Sequence, residues 1–119
     1  MSILSDVIDT LKKDRNLTGM LAHREKSIYH LVSPDAGTYP VLVVSVISDT
    51  PALLADNTEK KCRQTVRIHI LTRDGGCAAI AGRINKIMLS LGAMRRQTFE
   101  HIESKIFVRS LDYTMVGEI

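Results

Sequence analysis

Tyr39-Pro40-Val41-Leu42-Val43-Val44-Ser45-Val46-Ile47-Ser48 is the stretch on which the fold turns. Val41, Leu42, Val43, Val44, Val46 and Ile47 are apolar, so an extended chain here would be oily on both faces. Pro40 sets an extended entry and removes one ladder donor at the very start, where the loss is tolerated. The run's length and β-branching favour a strand over a short buried helix. Val41 to Ile47 is therefore expected to be a central sheet strand, paired on both edges and covered on both sides.

Downstream lies a thirteen-residue connection, Asp49 to Lys61, with Pro51, Asn57 and an apolar patch of Ala52, Leu53, Leu54 and Ala55. A connection this long in a small domain reads as a functional loop or a projecting hairpin. Leu53 and Leu54 then either meet a partner or fold back on the core. Cys62 to Leu71 alternates, with Val66, Ile68 and Ile70 on one side and Thr65, Arg67 and His69 on the other. After Arg73-Asp74-Gly75-Gly76, the residues Cys77, Ile80, Ala81, Ile84, Ile87, Met88 and Leu91 recur at helical spacing, and Gly92 stands where a helix stops. On the flank of this helix Ala78, Gly82, Asn85 and Leu89 would allow close approach by the first helix or by a neighbouring subunit. Met94 to Glu100 and Lys105 to Val116 read as a closing antiparallel pair. Their apolar register changes side near Arg109-Ser110, which suggests a bulge there.

Upstream, Ser2 caps a first helix whose stripe is Ile3, Leu4, Val7, Ile8 and Leu11, ending near Arg15-Asn16. Leu17, Met20 and Leu21 form a turn packed under the domain. Ile28 to Val32 is a short strand, and Ser33 to Gly37 a turn by composition. The expected fold class is α+β: an antiparallel or mixed sheet of four to five strands with two helices packed on one face, in the order α-β-β-β-α-β-β.

The length of 119 residues suits a single domain, 1–119. The shares of hydrophobic residues, 45%, and charged residues, 24%, exclude a disordered or collagen-like chain. No apolar run approaches the roughly 20 residues that span a bilayer, and Met1 to Arg15 has no signal-like core, so the expectation is a cytoplasmic chain without a membrane partner. Cys62 and Cys77 lack CxxC spacing and read as small buried hydrophobes.

Candidate chemistry is sparse. His23, His30, His69 and His101 show no HxH, HxxxH or HExxH spacing, so no metal and no cofactor is expected. Gly75-Gly76 precedes a helix without a phosphate-loop signature, no GxSxG is present, and Asp49, Asp56 and Glu59 are the solvated charges a surface loop carries. No catalytic residue is assigned and an enzyme is not expected. A net charge of +3 and a pI near 9.0 leave a competing reading, a small basic nucleic-acid-binding module. Its face would be Arg63, Arg67 and His69, with Arg109 beside them. Single-strand readers interleave such cations with stacking aromatics, which make up 4% of this chain.

The run Tyr39 to Pro51, the alternating strand Val66-Arg67-Ile68-His69-Ile70-Leu71-Thr72, the helix from Ala78 to Met88 and the late Arg109-Ser110-Leu111-Asp112-Tyr113-Thr114 strand together resemble the tail-completion and head–tail joining proteins of long-tailed bacteriophages and prophages. Tail terminators are similar too. Nearly the whole chain takes part, through element order and apolar positions; an aromatic common near the end of the alternating strand is replaced here by Leu71. The resemblance implies a self-assembling ring, often a hexamer, made in the host cytoplasm and placed at the virion's head–tail junction. Its partners would be the major tail tube protein and the head connector or stopper, with DNA passing through unread. The surfaces expected to meet subunits or partners are Leu53, Leu54, Asp56 and Glu59 on the long connection, and Ala78, Gly82 and Leu89 on the helix flank.

Overall fold

The computed structural model describes residues 2–33, 37–56 and 58–118. Among the described residues three α-helices and five strands follow in the order α1 (Ile3–Lys13), α2 (Arg15–Thr18), β1 (Ile28–His30), β2 (Val41–Ala55), β3 (Thr58–Thr72), α3 (Ala78–Ser90), β4 (Met94–Glu103) and β5 (Ile106–Glu118), with a 3-10 turn at Arg24–Ser27 before β1. The expected α+β class and element order are what forms, with α2 as a short addition.

Local chemistry accounts for the helix ends. The Ser5 amide donates to Ser2 Oγ at 3.0 Å, so Ser2 caps α1 as its sequence position suggests. Asp14 breaks the helix earlier than the expected Arg15-Asn16 because its carboxylate caps α2, accepting from the Leu17 amide at 2.8 Å. Leu17 and Leu21 are nevertheless buried beneath the domain. Gly92, at φ +84°, carries the left-handed step that ends α3.

The sheet runs β1-β2-β3-β5-β4, parallel between β1 and β2 and antiparallel elsewhere. Leu42 to Val44 pair on both edges, with β1 and with β3, Val41 pairs with β3 alone, and all four are buried. Burial then fades along β2: Val46 is half-buried and Ile47 is 44% exposed. The two-sided cover therefore holds for the first four residues only. Beyond them only the helix side keeps its cover, with Val46 still packed against the core.

α1 and α3 lie on one face, over Leu42, Val44, Val66, Ile68, Ile70, Leu111 and Tyr113. Gly117 admits α1 at the end of β5, since a Cβ there would stand 2.9 Å from Ile3. Asp14 ties the helices together, meeting Arg83 of α3 at 2.6 Å; that hydrogen bond holds the Asp14 carboxyl below the usual range against a smaller opposing effect of burial.

Two strand expectations are corrected. The bulge expected at Arg109-Ser110 is absent: β5 pairs continuously with β3 and β4 there, and the register shift sits in β4, between Arg95 and Gln97. Leu111 and Tyr113 join the helix-side core, whereas Val108, Ser110 and Asp112 are buried outside that cluster. Burial of Val108 on the open side is what makes the apolar register change sides. The join between β4 and β5 is also tighter than His101 to Ser104, a two-residue turn of Ser104 and Lys105 with φ of 50° and 67°. The expected turn at Ser33 to Gly37 falls largely outside the described residues.

Candidate functional site

The connection Asp49 to Lys61 is a projecting hairpin. β2 and β3 stay paired out to Ala55 and Thr58, through register shifts near Pro51 and Leu53, and Asp56 turns the tip at φ 53°. Leu53 and Leu54 are 47% and 62% exposed there, and Asp56 and Glu59 are exposed beside them. This arm makes the molecule long, 51 Å against 27 and 24 Å. Its leucines do not fold back on the core.

On α3 the expected flank splits. Ala78, Gly82 and Leu89 face outward, and nothing lies within 4 Å of a Cβ built on Gly82, so the first helix does not approach at that glycine. Asn85 is committed inward, its Oδ1 accepting from the Tyr113 hydroxyl at 3.0 Å. Burial pushes the Tyr113 phenol above its ordinary value. The flank and the arm are separate surfaces.

The face away from the helices is polar, but its cations are mostly spent. Arg67 donates to Asp112 from Nε at 2.8 Å and from Nη2 at 3.0 Å, and lies 4.8 Å over the Phe99 ring. Gln97 adds a third hydrogen bond to Asp112, at 2.7 Å. Burial raises the Asp112 pKa, yet the hydrogen bonds from Arg67 and Gln97 outweigh it, and the carboxyl stays below its usual value. His69 Nδ1 lies 2.7 Å from Ser110 Oγ, and burial first, then the Arg67 and His101 charges, lower its pKa. Arg109 is not part of this face: it borders the α3 side with Asn85 and Leu111, and its Nη2 reaches Glu100 at 3.3 Å. Of the expected basic face only Arg63 is exposed, beside Arg96 in a groove with Thr65 and Thr114.

Sequence reasoning missed a concavity at the other end of this open face. Val43, Leu71 and Val108 contribute from the sheet, Leu31, Val32 and Tyr39 from the chain around β1, and His69, His101 and Glu103 add polar groups. It encloses about 380 Å³. Leu31 and Val32 are 66% and 67% exposed. Arg73 lies beside it, 5.2 Å over the Tyr39 ring. Residues of β2, β3, β4 and β5 meet here with the chain that follows β1, so only the topology assembles the site. His101 Nε2 and Glu103 stand 3.5 Å apart. No group of three or more His, Cys, Asp or Glu among the described residues is placed to hold a metal ion.

Both outer edges of the sheet are open to some extent. β4 is an edge strand exposed at all ten positions, and β1 covers only three residues of β2. Such edges are templates for another chain.

No family model and no curated protein matches this sequence. Among solved structures, the fold is similar to a chain of the "Virion of native gene transfer agent (GTA) particle", with a TM-score of 0.66, 14% identity and 100% of each chain covered. At that identity what the two chains share is the fold, end to end.

Proposed function

We propose that this protein is a phage-type virion structural subunit that closes the tail at the head–tail joint. Copies assemble head to tail into a ring, a hexamer in the simplest case, which stops the tail tube and gives the head connector a docking surface. DNA passes through the hole without sequence reading. The work is mechanical rather than catalytic. The observation that carries the reading is the full-length likeness to a chain of a virion particle. The projecting arm, the open β4 edge and the outward small-residue flank of α3 are features a ring subunit would use.

The test is light scattering over a wide concentration range, with and without the major tail tube protein. A defined oligomer, or one that forms when the tube protein is added, supports the reading. A strict monomer indifferent to tube protein contradicts it.

The nucleic-acid reading keeps one observation, the groove of Arg63 and Arg96 flanked by Thr65 and Thr114. It requires salt-dependent retention of short single strands that is lost in Arg63→Glu. Full retention by that variant removes it.

A further inference from the structure

Two apolar features of this molecule lie at opposite ends of one strand. Leu53 and Leu54 project from the arm tip, and Val43 contributes to the concavity. Val43 and Ala55 are twelve residues apart along β2, roughly 40 Å of extended chain. A chain therefore cannot seat its own tip in its own concavity. Another copy can.

We infer that the arm tip of one copy seats in the concavity of the next, with Leu53 and Leu54 against Leu31, Val32, Tyr39 and Val108. The inference rests on the ring reading and names its contact. Charge fits the match. The tip carries Asp56 and Glu59, with Lys60 behind them; the concavity is bordered by Arg73, His69 and His101, with Glu103 at one side. The tip's acids can meet Arg73 while Lys60 meets Glu103. Because the two surfaces are unlike, the contact is heterologous, and a ring forms when the rotation between successive copies lets the last concavity take the first tip. Exposed apolar surface at both ends is explained by one contact.

Cysteine pairs test this in the full chain, since native Cys62 and Cys77 are buried. A copy with Leu54→Cys is mixed with a copy carrying Val32→Cys, or with one carrying Lys12→Cys, an exposed site on α1, and the mixture is oxidised. The 54–32 disulfide is expected to form at least about tenfold more than the 54–12 disulfide, because a held contact raises effective concentration. Leu54→Asp is expected to weaken assembly roughly 10- to 100-fold while leaving the thermal transition in place, because the tip is exposed in the free chain. Equal yields of the two disulfides, with wild-type protein still forming a closed oligomer, overturn the tip contact and leave the ring standing. A cross-link from position 54 to tube protein alone overturns it as well. Wild-type protein that stays monomeric even with tail tubes overturns both the contact and the ring.

Discussion

Arg67 and Asp112 face each other across the β3–β5 ladder, joined by two hydrogen bonds of 2.8 and 3.0 Å, and Asp112 is 1% exposed. The pair spends the best cation of the supposed basic face on holding two strands in register. Removing one partner leaves the other uncompensated in a dry setting, whereas replacing both by apolar groups does not.

Asp112→Ala should therefore destabilise the fold by about 2–4 kcal/mol in denaturant titration. Arg67→Met with Asp112→Leu should cost less than Asp112→Ala alone. A double variant that costs as much as Arg67→Met and Asp112→Leu added together would mean the pair contributes no coupling.

The same carboxyl sets an acid limit. Its folded pKa is depressed, so the stability it contributes is full above the unfolded carboxylate value, near 3.8, and is lost as pH falls through the folded value. The stability gap between wild type and Asp112→Asn should be constant above about pH 5 and should close below about pH 4. A gap that widens as pH falls would contradict this sign.

His69 acts in a higher window. Its pKa is lowered from 6.5 by burial first, then by the Arg67 and His101 charges, so the unfolded chain binds the proton more readily than the folded one. Stability linked to His69 is full above about pH 6.5 and declines as pH falls below it. Thermal melts should show wild type losing stability between pH 7 and 5 more steeply than His69→Gln. Parallel curves would remove His69 as the cause.

Asp14 joins α1, α2 and α3 by capping α2 and meeting Arg83. Asp14→Ala should cost about 1 kcal/mol through the lost cap, and Asp14→Asn should recover that part because its side chain can also accept from the Leu17 amide. Equal losses in the two variants would place the effect in the ion pair instead.

The fold was legible where period and burial agree. Val66, Ile68 and Ile70 alternate because one face of β3 is covered, and Ile80, Ile84, Ile87 and Met88 recur because one side of α3 is. The two leucines at the arm tip could not be placed this way, since an apolar pair reads alike whether it enters its own core or awaits another chain. Arg67 looked free because its partner lies 45 residues away and becomes a neighbour only through strand order. Val43 shows the same limit: it is buried, yet it lines the concavity while Val44 enters the helix-side core. Val44 is thus the position where an aspartate should prevent folding, and Val44→Ala should cost about 2–3 kcal/mol.

Electron-microscope class averages of purified tail tubes mixed with this protein would show whether it caps them. A closed ring of this protein is expected on one end of each tube, with further growth of that end stopped. Tubes that keep both ends bare and go on lengthening, beside a protein that remains monomeric, would contradict it.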